Sequence, residues 1–340
     1  MSTANISLFQ HVSAQTIAQS NDDCLARLLD AIATATIDIA TLVAKGGTAE
    51  VTTKLASQNV QGETQMQLDV LSNAIFIDAL RATQLVAGLV SEEIDEAMPL
   101  SAQSNAALFL VYFDPLDGSS NIEVNGCIGS IFSVVNAPKT RPIETAHYLQ
   151  QGNAQVAAGY ALYGPKCMLV LTVGQGTHGY TLDSNTNSYQ LTHPNMRIPQ
   201  TATEFSINAS NERFWETPVQ RYIAECKAGN DGLRLQDFNM RWVASMVADV
   251  HRILMRGGIY LYPKDNKLPL KAGRLRLLYE ANPMSFIVEQ AGGASSTGRQ
   301  RLMDITPTDI HERVPVILGS SAEVNVVAQY HKRFDDDNPA

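Results

Sequence analysis

The sequence has few of the features that mark secreted, membrane or nucleic-acid-binding proteins. Its four cysteines are scattered without CxxC spacing, which is typical of free thiols in a reducing cytoplasm. Residues 1–20 have neither a basic segment nor a continuous apolar run, so we expect no signal peptide. No stretch approaches the roughly 20 apolar residues of a membrane span. A net charge of −9 argues against nucleic acid and anionic membranes as partners.

The remaining composition is that of a globular enzyme. Of the 340 residues, 45% are hydrophobic and only 17% are charged, so a large core is expected. The length suits two domains or one large layered domain. We find no internal repeat and no low-complexity segment.

Hydrophobic patterning predicts an alternation of helices and strands. Helical spacing is found over residues 22–44, 68–79, 241–258 and 283–293. Apolar runs predict buried strands over 86–93, 107–114 and 275–280. Short β-rich segments separated by turns predict a large antiparallel or mixed sheet between residues 128 and 191. The aperiodic segment 192–205 contains two prolines and is the best candidate for a domain boundary.

The most informative motif is Asp-Pro-Leu-Asp-Gly-Ser-Ser-Asn at residues 114–121. Asp114 ends a predicted buried strand, Asp117-Gly118 turns the chain, and the following amides can converge on an anion. Taken alone, such a motif also fits a surface turn. However, Glu92-Glu93 and Glu280 end two further predicted strands, where α/β enzymes assemble sites. Acidic strand ends repel one another without cations, so we predict a divalent-cation site for phosphoryl transfer.

These segments, in this order, resemble class I fructose-1,6-bisphosphatase over residues 22–330: LVSEE, FDPLDGSSN, AAGYALYG, SMVADVHR, GGIYLYP, RLLYEANPM and EQAGG. The motif DPLDGSSN occurs throughout the lithium-sensitive phosphatase superfamily, which includes inositol monophosphatase, whereas LLYEANPM is typical of the bisphosphatase branch. The resemblance implies an α/β fold, more exactly an α+β layered sandwich of mixed sheets and helix layers. We expect an N-terminal domain over 1–198 with a regulatory helix and the metal motif, a C-terminal sugar-phosphate domain over 199–333, and a disordered tail over 334–340.

The resemblance also assigns roles to individual residues. It implies two or more Mg²⁺ ions per subunit, with Mn²⁺ as an alternative, held by Glu92, Asp114, the Leu116 carbonyl, Asp117 and Glu280. The residues that orient and deprotonate the attacking water, or close over it on a loop, are Glu93, Asp69 and Glu63. The resemblance implies that the 1-phosphate side of the substrate is bound by Asp117, Gly118, Ser119 and Ser120. It implies that the far 6-phosphate is bound by Asn208, Arg241, Tyr262 and Arg274.

Three positions of the far-phosphate group depart from the family. Asn211 and Trp242 replace phosphate-binding tyrosines, and Arg274 stands where lysine is usual. These changes fit neutral drift or a pocket for a longer sugar such as sedoheptulose 1,7-bisphosphate. A dead regulatory paralogue is disfavoured, because every expected carboxylate ligand is present.

Assembly, regulation and location also follow from the resemblance. The family role of Arg241 across an interface implies a homo-oligomer, usually a tetramer, in the cytoplasm. The family's allosteric inhibitor AMP should bind weakly, because its phosphate contacts fall on Asp22, Asp23 and Leu108-Phe109 here.

Overall fold

The structure is a computed structural model that describes residues 6–20, 23–45, 54–58, 64–100, 108–140, 142–267 and 271–338. In these ranges the α-helices are α1 (Leu8–Ser20), α2 (Cys24–Ala44), α3 (Gln67–Thr83), α4 (Thr217–Ala228), α5 (Met246–Arg256), α6 (Asn282–Gln290) and α7 (Ser321–Asp337). The first ten strands are β1 (Lys54–Gln58), β2 (Thr64–Met66), β3 (Val86–Ser91), β4 (Met98–Pro99), β5 (Phe109–Asp117), β6 (Ile128–Asn136), β7 (Gln155–Tyr163), β8 (Cys167–Thr172), β9 (Thr177–Asp183) and β10 (Ser188–Met196). The others are β11 (Glu204–Ile207), β12 (Asn239–Met240), β13 (Ile259–Tyr262), β14 (Leu275–Arg276), β15 (Ala294–Ser296), β16 (Arg313–Val314) and β17 (Val316–Gly319).

Two large sheets organise the chain. The first has eight strands in the order β10-β9-β8-β7-β6-β5-β3-β4. Its neighbours are antiparallel except for β3 and β5, which run parallel. The second has five strands in the order β12-β11-β13-β17-β15. The large mixed sheet expected from the alternating segments of residues 128–191 is therefore present, and the chain passes to the second sheet between Met196 and Glu204.

Alternating side chains of these strands face different helix layers. On β6, for example, Phe132 packs toward α1, α2 and α3, whereas Ile131 packs toward α5 and α6. The layer of α5 and α6 also covers one face of the second sheet, through residues such as Leu318. The opposite face of that sheet packs against α4 and α7, as the contacts of Ile317 show. The result is a helix–sheet–helix–sheet–helix sandwich, which confirms the predicted fold class.

Several local predictions need correction. The helix expected over 241–258 begins only at Met246, because residues 241–245 form an irregular segment with Ala244 at a positive φ of 65°. Helix α1 has no counterpart in our predictions, since few of its side chains, among them Leu8 and Val12, are buried apolar ones. The predicted disordered tail is wrong for residues 334–337, which continue α7. There Asp335 accepts hydrogen bonds from the Arg299 guanidinium at 2.8 and 2.9 Å.

Within the described part of the chain, no helix combines the length and apolar character that a membrane crossing requires.

Candidate functional site

Three buried carboxylates meet at the end of β5. Ligand oxygens of Asp114, Asp117 and Glu280 all lie within 4.8 Å of one another. Each side chain is at most 7% exposed. Glu92 lies beside them, because β3 runs parallel to β5 and the Glu92 amide donates to the Phe113 carbonyl at 3.2 Å. The structure therefore brings together the acidic residues that the sequence placed at three separate strand ends.

Glu280 reaches the cluster by a different local route from the one expected. The strand predicted over 275–280 is confined to Leu275–Arg276, and a π-helical turn follows at Leu277–Ala281. This turn runs directly into α6, which begins at Asn282. The Glu280 carboxylate is fixed by the Arg276 amide, which donates to it at 2.6 Å. π-helical turns occur frequently at functional sites.

Burial and mutual repulsion raise the pKa values of the carboxylates in this cluster. Burial, followed by the charges of Glu92, Asp117 and Glu280, raises the pKa of Asp114 well above its usual range. Burial likewise raises the pKa of Glu280 to about 8, against the lowering influence of Arg276. The Arg276 guanidinium lies 2.7 Å from Glu92 and 3.8 Å from Glu280. Buried oxygen ligands in excess of their cationic partner fit hard divalent cations, which suits the residues to a metal centre.

Asp117 is held by donors from a distant part of the sequence. Its Oδ2 atom accepts hydrogen bonds from the Ser245 hydroxyl at 2.8 Å and from the Val247 amide at 3.0 Å. These donors lower the pKa of Asp117, but burial outweighs them and the net shift is upward. Donors from the start of α5 thus fix the orientation of the Asp117 carboxylate.

The turn after Asp117 exposes backbone amides next to the carboxylates. Gly118 has a φ of 77°, in the left-handed region, and a short 3₁₀ turn at Ser119–Asn121 follows. A Cβ atom on Gly118 would lie 2.8 Å from that of Ser245, so this position requires glycine for space as well as for conformation. A left-handed residue followed by right-handed ones makes the amide concavity that binds anions. Ser119 and Ser120 are the first two residues of this 3₁₀ turn.

Two further acidic residues were predicted to act on water. Glu93 directly follows Glu92 and is partly buried, and its amide donates to the Ser91 hydroxyl at 3.3 Å. Asp69 lies in the first turn of α3 and is 4% exposed. The Ser91 hydroxyl in turn donates to Asn73 of the same helix at 2.8 Å, which ties α3 to the end of β3. Glu63 lies outside the described residues.

The predicted far-phosphate residues lie on and around the second sheet. Asn208 and Tyr262 line one small cavity together with Asn211 and Asp265. Asp265 is buried and accepts two hydrogen bonds from Arg274, at 2.9 and 3.0 Å. The structure therefore brings Asn208 and Tyr262 together, with Arg274 joined to their cavity through Asp265.

Two members of this group lie on the segment before α5. Arg241 is half exposed, and its Nε atom lies 3.9 Å from Glu204. The Trp242 ring stacks on Tyr260 with centroids 6.1 Å apart, and it also contacts Tyr262. Trp242 thus fills space by aromatic stacking at a position where the family resemblance implies a phenol.

Arg276 and Ser245 are site residues that our sequence reasoning did not identify. Arg276 could have been identified, because it interrupts an apolar segment four residues before Glu280. An arginine that is buried with such a segment requires an acidic partner. No local signal marked Ser245, because its contact with Asp117 joins residues 128 positions apart.

A layered α/β fold with a buried carboxylate cluster beside an amide-rich turn defines a metal-dependent phosphatase. Family profiles described as "Fructose-1-6-bisphosphatase, N-terminal domain" and "Fructose-1-6-bisphosphatase, C-terminal domain" match residues 6–194 and 198–332. The chain belongs to the fructose-1,6-bisphosphatase family, as the sequence motifs predicted.

Two relatives agree with this assignment. Over 291 residues the chain is 55% identical to "Fructose-1,6-bisphosphatase class 1 3" of Methylibium petroleiphilum. This alignment covers 85% of this chain and 82% of the relative. It is also similar to the crystal structure of Leishmania major fructose-1,6-bisphosphatase in holo form, with a TM-score of 0.90 and 36% identity. That likeness covers 97% of this chain and 100% of the other.

Proposed function

We propose that the protein hydrolyses the 1-phosphate of fructose 1,6-bisphosphate, releasing fructose 6-phosphate and phosphate. The observation that carries this proposal is the set of buried carboxylates Asp114, Asp117 and Glu280, whose oxygens lie within 4.8 Å of one another beside an amide-rich turn. Family membership supplies the substrate class. The reaction would serve carbohydrate metabolism, in gluconeogenesis or a reductive pentose cycle.

The metal centre would use oxygen ligands from three parts of the chain. Glu92, Asp114, Asp117, Glu280 and the Leu116 carbonyl are the proposed ligands of Mg²⁺, or of Mn²⁺. When bound, the ions neutralise charge on the phosphoryl group and assist attack by water. Arg276 balances the charge of Glu92 and Glu280 and keeps both carboxylates oriented.

The protein's own groups would handle the phosphate and the proton. We assign the 1-phosphate to the amides of Gly118, Ser119 and Ser120, which lie next to the carboxylates on the same turn. Glu93 and Asp69 are the proposed acceptors of the proton from the attacking water. Glu63 remains a candidate third carboxylate from a loop.

Recognition of the far phosphate would fall to Asn208, Arg241, Tyr262 and Arg274. This end of the substrate supplies binding energy away from the reacting phosphorus, which lowers KM. If Arg241 acts across an interface, as the resemblance implies, the active form is a homo-oligomer, and we propose a tetramer. The free thiols of the described chain support a cytoplasmic location.

A second candidate substrate is sedoheptulose 1,7-bisphosphate. It is favoured by the altered far end of the site, where Trp242 stacks on Tyr260 and Asn211 lines the cavity beside Asn208. A sugar with one more carbon needs its far phosphate held farther from the metal centre. Changed side chains at the far end of the site are the expected way to accommodate this greater separation.

Phosphate release from both bisphosphates, at low substrate and several Mg²⁺ concentrations, tests the proposal. We expect Mg²⁺-dependent release from fructose 1,6-bisphosphate, and almost none from an Asp114→Asn variant. A larger kcat/KM for the seven-carbon substrate would make the second candidate the main activity. Wild-type release from fructose 1,6-bisphosphate no faster than that of the variant would refute the proposed function.

A further inference from the structure

A single segment of seven residues connects the two ends of the proposed substrate site. We call residues 241–247 the strap; it joins β12 to the first turn of α5. It begins at Arg241, whose proposed role is across an interface, and continues with Trp242, which contacts Tyr262 at the far-phosphate end of the same subunit's site. Ser245 and Val247 end it, and both donate hydrogen bonds to Oδ2 of Asp117 in the carboxylate cluster. A change in the strap's conformation therefore reaches both ends of the site.

The strap adopts a conformation that it would not hold unaided. Ala244, in its middle, has a φ of 65°, in the left-handed region that a residue with a Cβ atom rarely adopts. Such a conformation persists only where surrounding contacts impose it. The Asn121 side-chain amide donates to the Ala244 carbonyl at 3.2 Å, and this contact comes from the turn that follows Asp117.

The second contact that imposes the strap's conformation comes from Asp249. Its carboxylate accepts the Val243 amide, with Oδ1 at 3.1 Å and Oδ2 at 3.3 Å. Asp249 is only 2% exposed and lies on the buried side of α5, with its own amide bonded to the Ser245 carbonyl at 3.1 Å. Burying a carboxylate is costly unless it satisfies donors, and the strap's Val243 amide is one of the donors that Asp249 satisfies. Asp249 belongs neither to the proposed metal ligands nor to the proposed far-phosphate residues, so the proposed function gives it no role.

We propose that Asp249 is a positioning residue for the reaction, which fixes the strap and thereby sets Trp242, at the far-phosphate end, relative to the donors on Asp117. The inference rests on the proposed function. Loss of the Asp249 contact releases Val243 and lets Ala244 leave its strained conformation. Trp242, at the far-phosphate end, and the hydrogen bonds to Asp117 then change together.

The kinetic test compares Asp249→Ala with Asp249→Asn. The alanine variant should raise both KM for fructose 1,6-bisphosphate and the half-saturating Mg²⁺ concentration by about 10-fold, the effect of losing one buried hydrogen bond. The asparagine variant keeps an oxygen acceptor for the Val243 amide, so it should recover most of both losses. Glu323→Gln is the matched control, since Glu323 is a buried carboxylate held by Tyr222 on the far side of the second sheet. It should lower the Tm and leave both constants unchanged.

A second readout does not require catalysis. The sequence has two tryptophans, Trp215 and Trp242, so a Trp215→Phe background makes fluorescence specific to the strap. In that background Asp249→Ala should increase acrylamide quenching of Trp242, and Asp249→Asn should not. This result would stand even if fructose 1,6-bisphosphate proved not to be the substrate, which separates the two proposals. Unchanged quenching, or a lowered Tm with KM and the Mg²⁺ midpoint at their wild-type values, would overturn the role of Asp249.

Discussion

Replacement of Asp117 by asparagine is the sharpest test of the metal centre, because the structure dictates how the new side chain must lie. Oδ2 of Asp117 accepts two donors, the Ser245 hydroxyl and the Val247 amide. The asparagine oxygen must take this place, since an NH₂ group there would face both donors. The NH₂ group then takes the place of Oδ1, in a cluster that also contains the carboxylates of Asp114 and Glu280. The variant therefore loses a charge and presents a donor to a cation.

We expect this variant to lose at least about 100-fold in kcat at saturating Mg²⁺, the usual scale for removing a metal or transition-state contact. Its fold should persist, because the oxygen still satisfies Ser245 and Val247. Phosphate release gives the rate, and electron paramagnetic resonance of added Mn²⁺ gives cation binding without catalysis. Asp38→Asn on the exposed face of α2 is the control for loss of one negative charge. Retention of more than a tenth of wild-type activity, with normal Mn²⁺ binding, would contradict the metal assignment.

Three further predictions address substrate, effector and pH. Arg241→Ala should raise KM by roughly 30-fold, about 2 kcal/mol, with little change in kcat, because the far phosphate supplies mainly uniform binding; a fall in kcat alone would contradict this placement. This protein should bind AMP at least about 100-fold more weakly than AMP-sensitive relatives do, because Asp23 and Leu108 stand where those relatives contact the AMP phosphate. An activity titration with AMP at low substrate tests this, and half-inhibition at tens of micromolar would disprove it. Burial, followed by the charge of His193, lowers the pKa of His251 to about 4. Between pH 6.5 and pH 4 the unfolded chain therefore binds a proton at His251 that the folded protein does not bind, and the free energy of unfolding falls as the pH falls. Urea unfolding should show that the free energy of unfolding falls by about 2 kcal/mol between pH 7 and pH 5. This fall should be absent in the His251→Asn variant, whose side chain keeps an acceptor for Tyr160. Equal falls in both proteins would exclude His251 as the cause.

The sequence allowed the residues of the cluster to be predicted better than their local structure. Acidic residues after apolar runs identified Glu92, Asp114 and Glu280, because parallel strand ends converge and buried like charges need a cation. The π-helical turn around Glu280 could not be read from LRLLYE, since a short apolar run fits a buried strand equally well. The helix expected to begin at residue 241 begins at Met246, because the acceptor for the Val243 amide is the side chain of Asp249. Periodicity carries no information about such contacts. Arg276 was missed for a similar reason, as its partner Glu92 is remote in sequence.

Two of the arginines near the proposed phosphate sites share one property, which helps an acidic protein to accommodate a dianion at each end of its substrate. Arg276 lies 2.7 Å from Glu92 and Arg274 lies 2.9 Å from Asp265. A guanidinium held by a carboxylate loses side-chain freedom during folding, so less is lost again when a phosphate arrives. Part of its charge is already balanced, so it attracts free phosphate only weakly. Selectivity for a bisphosphate would then depend on filling both ends at the separation that the strap imposes, and net charge would contribute little. Loosening the strap should therefore weaken the bisphosphate far more than inorganic phosphate, and competition by phosphate against each Asp249 variant would measure that difference.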